Sequence, residues 1–236
     1  MKSLRIGGLC LVVMSVVMGA FAASAFAAGP EFQVENTKTH LLEPVKKPVA
    51  FKQSGAGSTL SSGSTLELSC VSSSGKGKLT GPKALSEKIV YSGCENAAAA
   101  KCQSGKTAGE IKSSKLVGTL VYASKGTTLV PAIEIAPASG TTVFKYSCGT
   151  KVKSVVSGQI LGAVGPLESS STELTETFAE GEEPAPGCGT QEIQLIEGMG
   201  PCRHLELEPE PAANKKVEAK KETTKKEFVG HVSLLK

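Results

Sequence analysis

Aspartate is missing from this 236-residue chain, and all 22 of its acidic residues are glutamate. The absence removes several site designs at once. An aspartic-protease dyad needs two Asp side chains, an EF-hand calcium loop draws most of its ligands from them, and a P-loop enzyme organises its magnesium with a second acid that is normally Asp. Tryptophan is absent too, and the aromatics are only three Tyr and seven Phe. Nucleobases and sugar rings therefore find few flat faces to stack on. The core must rest mainly on Val, Leu, Ile and Ala, with Phe51, Tyr91, Tyr122, Phe144, Tyr146 and Phe178 as its large members. Arginine occurs twice, at Arg5 and Arg203, so the planar fork that grips phosphate with paired hydrogen bonds is almost missing. The three histidines, His40, His204 and His231, share no metal spacing such as H-E-x-x-H. No metal or cofactor is expected.

What is present begins with "MKSLRIGGLCLVVMSVVMGAFAASAFAAGP". Lys2 and Arg5 precede an apolar run, and Ala25-Phe26-Ala27 supplies the small-x-small triplet of a cleavage site. Residues 1–27 are read as a secretory signal, cut after Ala27, and Cys10 leaves with it. No later segment is apolar enough to span a bilayer, so the mature chain is expected to have no membrane span. Six cysteines remain: Cys70, Cys94, Cys102, Cys148, Cys188 and Cys202. An even count in an exported chain reads as disulfides, and the lack of any C-x-x-C pair argues against zinc. Six cysteines allow about fifteen connectivities. The expectation taken here joins the sequence neighbours, Cys94 with Cys102 and Cys188 with Cys202, which leaves Cys70 for Cys148.

Charge is segmented along the chain. Residues 28–165 hold 16 Lys against 8 Glu, residues 166–212 hold 11 Glu against one Arg, and residues 213–236 hold 7 Lys against 3 Glu. After the signal and a Pro-punctuated lead, short stretches rich in β-branched residues alternate with Gly, Ser and Pro clusters: "STLELSCV", "GKLTGP", "EKIVYSGC", "KLVGTLVYAS", "LVPAIEIAP", "TTVFKYSC", "KVKSVVSGQILGAV" and "TELTETFA". That spacing is an all-β signature. In "TTVFKYSC", Thr142, Phe144 and Tyr146 share one face with Cys148, while Val143, Lys145 and Ser147 take the other.

The predicted fold is a disulfide-stapled antiparallel β-sandwich or open barrel over residues 48–180, after a Pro-punctuated lead at 28–47. A small C-terminal β-hairpin appendage at 181–208 follows the acidic "AEGEEPAPGCG", with its turn near "EGMGP". Residues 209–236 are a linker and lysine-rich tail, read as a partly ordered solvated segment.

The runs "GKLTGPKALSEKIVYSGCE", "KCQSG", "GEIKSSKLVGTLVYAS", "IEIAPASGTTVFKYSC" and "VVSGQILGAV" resemble a family of uncharacterised secreted bacterial proteins that occur in many copies per genome. The resemblance covers roughly residues 45–180 and includes Cys70, Cys94, Cys102 and Cys148. It implies export and carries no activity or catalytic residue. Cys188, Cys202 and the basic tail fall outside it.

"AKCQSGKT" at residues 100–107 matches a loose P-loop signature, yet no buried strand precedes it and "AGEIKSS" does not start a helix to meet a phosphate. No nucleotide site is expected, nor a specific nucleic-acid site, because the lysines lack an aromatic-interleaved stripe. A serine triad with Glu would need one of the three histidines to meet a serine. A hydrolase of glycosidase type would need two glutamates to converge, with Glu67, Glu87, Glu110 and Glu134 as candidates.

The favoured reading is a secreted non-enzymatic protein, extracellular or associated with the cell wall, that works as a binding or structural module of the bacterial cell envelope. The extracellular hydrolase is the alternative. The partner expected is an anionic envelope polymer met by Lys215, Lys216, Lys220, Lys221, Lys225 and Lys226, or another surface protein.

Overall fold

The computed structural model describes residues 29–62, 65–125, 128–149, 152–166, 170–178, 205–210, 215–217 and 219–235. These contain no helix. Sixteen strands follow one another: β1 (Glu31–Glu35), β2 (Leu42–Pro44), β3 (Val49–Ser62), β4 (Thr65–Gly81), β5 (Ala84–Ser92), β6 (Cys102–Gln103), β7 (Glu110–Lys112), β8 (Leu116–Lys125), β9 (Thr128–Pro137), β10 (Thr142–Cys148), β11 (Val152–Gly158), β12 (Ile160–Gly165), β13 (Ser171–Phe178), β14 (Leu205–Glu210), β15 (Lys215–Val217) and β16 (Ala219–Leu235). The all-β expectation holds.

Eight of these strands close into an antiparallel barrel. The order is β3, β4, β5, β8, β9, β12, β13 and β16, with β16 returning to pair β3, so no open edge is left in the ring. Pairing register fixes which side chains point inward. Gln53, Gly75 and Ile89 stand in one cross-strand row, and Phe51, Gly77 and Glu87 in the next. A ring of this size can be filled by side chains that alternate large with small. Gly118 shows the constraint: a Cβ there would lie 2.8 Å from both Leu85 Cδ1 and Ile133 Cγ2. Gly77 likewise leaves its space to the Phe51 ring, which packs at 5.4 Å from Phe228.

A second, five-stranded sheet runs β15-β14-β11-β10-β6. Tyr91 at the end of β5 meets Phe144 of β10 at 5.8 Å, and Phe144 meets Tyr146 at 6.1 Å, so one apolar core continues from the barrel into this sheet. Of the six aromatics expected inside, five are buried and Tyr122 is half-buried. Val143 is buried although alternation assigns it to the wet face, because the register shifts between Thr142 and Phe144.

Three expectations are corrected. The lysine-rich tail is not a solvated appendage: its residues 219–235 form β16, which is paired on both sides within the barrel. The lead at 28–47 is not separate from the domain after it, since β1 pairs Val232–Leu235 at the end of β16 and Phe32 is fully buried. Both barrel closure and the pairing of β14 with β11 cross the expected boundaries at 180 and 208. β14 is bordered at Leu205–Leu207 by β11 and β15, so its described neighbours are those strands; the segment before it and the turn near "EGMGP" lie outside the described residues.

The disulfides also differ from expectation. Cys70 is bonded to Cys94, and Cys102 to Cys148. Cys94 and Cys102 flank one short loop, but each is drawn to a distant strand. Ser69 bridges Glu95 beside the first bond, and Cys102 stands directly opposite Cys148 in the β6–β10 ladder at the second. Long-range register, not proximity along the chain, selects the partners. Cys188 and Cys202 lie outside the described residues.

Candidate functional site

The interior of the barrel is apolar on one side and carries polar and charged groups among apolar ones on the other. Strands β8, β9 and β12 contribute Leu116, Leu120, Ile133, Ile135, Ile160 and Val164. Opposite them, β3, β4, β5, β13 and β16 contribute Gln53, Ser73, Glu87, Glu176, Glu222, Thr224 and Lys226, all buried. Lys226 is the centre of this polar half. Its Nζ donates to Glu87 Oε2 at 2.7 Å and Gln53 Oε1 at 2.9 Å, and lies 2.8 Å from Glu176 Oε2. Those three acceptors match the three N–H bonds of an ammonium. The same nitrogen sits 5.3 Å from the centre of the Phe51 ring. Ser73 donates to Glu222, and Thr224 Oγ1 reaches Glu176 Oε2 at 3.5 Å.

Burial by itself would push the Lys226 pKa down. Glu176 and Glu87, through charge and hydrogen bonding, outweigh it and hold the pKa above that of an ordinary lysine. Among the described residues, three buried carboxyl groups, those of Glu87, Glu176 and Glu222, share the interior with the Lys226 ammonium. Glu87 Oε1 has no hydrogen-bond partner among the described residues.

Of the glutamates singled out in the sequence, the three whose side chains are described, Glu87, Glu110 and Glu134, do not meet in a cleft. Glu87 faces the barrel interior. Glu134 lies on the other face of its strand, opposite Thr119 and Leu161, beside a second apolar cluster of Ala123, Ala132 and Leu161. Glu110 is at the surface, paired with Lys112 at 2.9 Å. The Glu67 side chain lies outside the described residues. Two carboxylates do converge, Glu87 with Glu176, but Lys226 stands between them and their side chains are 0% and 1% exposed. Glu176 is a partner that sequence reasoning missed. Its alternation with Leu174 and Phe178 in "ELTETF" was the available signal.

His231 meets both a serine and a glutamate, Ser170 Oγ at 3.1 Å and Glu35 Oε2 at 3.3 Å. Both contacts fall on Nδ1. A relay needs the two ring nitrogens to serve the acid and the nucleophile separately, so this is not the geometry of a triad. His40 Nδ1 takes the other oxygen of Glu35 at 2.7 Å. His204 lies outside the described residues. Among the described residues no three His, Cys or Glu side chains are grouped to hold a metal ion, and no helix is long and apolar enough to cross a membrane.

"AKCQSGKT" carries β6 and an exposed turn, and β7 follows it in place of a helix. The chain bends through residues 104–107 and turns at Gly109, whose φ of 75° suits glycine. Lys106 is exposed.

The six tail lysines do not make one patch. Lys226 is enclosed and is withdrawn as a polymer contact, and Lys225 pairs with Glu173 at 3.0 Å. Lys215 and Lys216 lie on β15, Lys220 and Lys221 on β16, and the placement of these four side chains is outside the described part of the structure. The barrel instead gathers other lysines on its outer face. Lys52, Lys76 and Lys88 stand directly opposite one another across β3, β4 and β5. Lys78 is two residues along β4, and Lys115 precedes β8. All five are exposed and line an open trough of about 910 Å³ with Ser74 and Ser86.

No known protein family, characterised protein or solved structure matches the chain.

Proposed function

We propose that the protein is a secreted, non-enzymatic module that works outside the cell, bound to the envelope, through its outer surfaces. The observation that carries this reading is the state of the barrel interior. Lys226, Glu87 and Glu176 engage one another there, and their side chains are each no more than 1% exposed. Carboxylates enclosed in this way are withheld from a substrate arriving from solution, which supports a role for the outer surfaces. The signal at residues 1–27, the two disulfides and the resemblance to secreted bacterial proteins support export.

The test is fractionation of cells that express the full chain. The protein is expected outside the cytoplasmic membrane, without residues 1–27, with Cys70, Cys94, Cys102 and Cys148 unreactive to a thiol probe, and released from the envelope by salt. Recovery in the cytoplasm with those thiols free would overturn the reading. So would hydrolysis of a glycoside substrate that Glu87→Gln abolishes in a protein still folded.

A further inference from the structure

We infer that the lysine trough on β3, β4 and β5 is a binding surface for a linear anionic glycopolymer, one carrying phosphodiester or uronate charges; the inference rests on the extracellular role proposed above. Side chains directly opposite in an antiparallel pair have Cβ atoms about 4.5–5.5 Å apart, and like charges so placed destabilise the sheet. Lys52, Lys76 and Lys88 occupy two such pairs in succession. Lysines elsewhere in the protein are neutralised: Lys46 pairs with Glu43, Lys101 with Glu95, Lys112 with Glu110 and Lys225 with Glu173. The five trough lysines make no ion pair among the described residues. Glu227, opposite Lys52 on β16, is the acid nearest in register, and it too makes none.

The chemistry of the lining narrows the partner. Apart from lysine, the trough offers Ser74 and Ser86 hydroxyls and glycine backbone, with Ala50 and Val90 as apolar side chains; Gln53 and Glu87 also line it, but their side chains are buried in the barrel, where both bond Lys226. It has no aromatic face for stacking bases and no large apolar side chain to enter a bilayer. Lysine ammonium groups are compact point charges that satisfy single oxyanions, unlike the paired-bond recognition of arginine. A row of them in a concave surface fits a hydrophilic chain whose negative charges recur along its length.

The test uses full-length oxidised mature protein with poly(glycerol phosphate) and polygalacturonate as probes, neutral dextran as blank, and binding measured by calorimetry at several salt concentrations. At least one anionic polymer is expected to bind, with affinity that falls steeply as salt rises. The variant Lys52→Gln/Lys76→Gln/Lys88→Gln should lose about tenfold or more while its unfolding midpoint stays level or rises. A charge-matched variant, Lys46→Gln/Lys101→Gln/Lys112→Gln, should stay within about twofold of wild type. Which polymer binds distinguishes phosphodiester from uronate as the source of the charge.

Equal loss in the two variants, no binding to either polymer, or tighter binding to phosphatidylglycerol vesicles or a single-stranded oligonucleotide would each overturn the inference. Any of these with the protein still found outside the cell leaves the extracellular role standing. Recovery in the cytoplasm removes that role whatever the polymer result.

Discussion

Lys226 inverts the ordinary rule for its residue type, which keeps the ammonium in water. Losing its hydration costs several kcal/mol, and the cost is tolerable only because Glu87, Glu176 and Gln53 fill all three of its donor directions. Lys226→Met is therefore expected to lose about 3–5 kcal/mol in urea unfolding, because it strands two neighbouring carboxylates in the interior. Adding Glu87→Gln and Glu176→Gln to it should restore most of the loss. A cost under about 1 kcal/mol for the single change would show that the cluster does not hold the barrel. Its pH dependence follows from the raised pKa. A lysine whose folded pKa lies above its unfolded value of about 10.4 contributes fully below that value and loses the contribution as pH climbs through the folded one. The stability gap between wild type and Lys226→Met should stay level from neutral pH to about 10 and narrow above it. None of this was legible in "TTKKEFVG", where Lys225 and Lys226 look alike. Strand alternation turns one to water and the other to the core.

β16 is the element whose role was hardest to see. Period-2 reading depends on contrast between apolar and polar residues, yet the inward positions here are Glu222, Thr224 and Lys226 while the outward ones are Thr223, Lys225 and Glu227. Both faces are polar, so the contrast is lost. β3 hides for a related reason, since Gln53 and Gly55 stand where an apolar residue would mark the core. By contrast, the "EKIVYS" of β5 buries Glu87 between Leu85 and Ile89, and its apolar neighbours still announce the strand. The pairing makes a direct prediction. Thr224 is paired to Glu176 on one side and Gly55 on the other, whereas Val229 falls between the stretches paired to β3 and β1 and is 99% exposed. Thr224→Pro should abolish cooperative folding, because proline cannot serve a central ladder. Val229→Pro should leave a folded protein, and circular dichroism with thermal melting separates the two.

Across the molecule, the strands nearest the two ends of the described chain complete the fold. β1 and β16 pair with each other, and β16 is the stave that joins β13 to β3. The Cys70–Cys94 and Cys102–Cys148 bonds close loops with sequence separations of 24 and 46. On the loop-entropy model they stabilise by about 3.5 and 4 kcal/mol, as upper figures. Peptide mapping of unreduced protein should recover these two linkages, and recovery of Cys94 joined to Cys102 would contradict the barrel's register. Composition and pattern alone established an all-β chain, the use of cysteine as cross-links, the missing chemistries that follow from having no aspartate, and most strands whose apolar face is visible. Those properties are local: each is written in residue types, spacing or alternation within a few positions. The cysteine partners, the closing strand, the burial of Lys226 and the assembly of Lys52, Lys76 and Lys88 into one row belong to the tertiary structure. Each depends on which residues of distant strands stand opposite one another, and that register is set only when the ring closes around a shared interior.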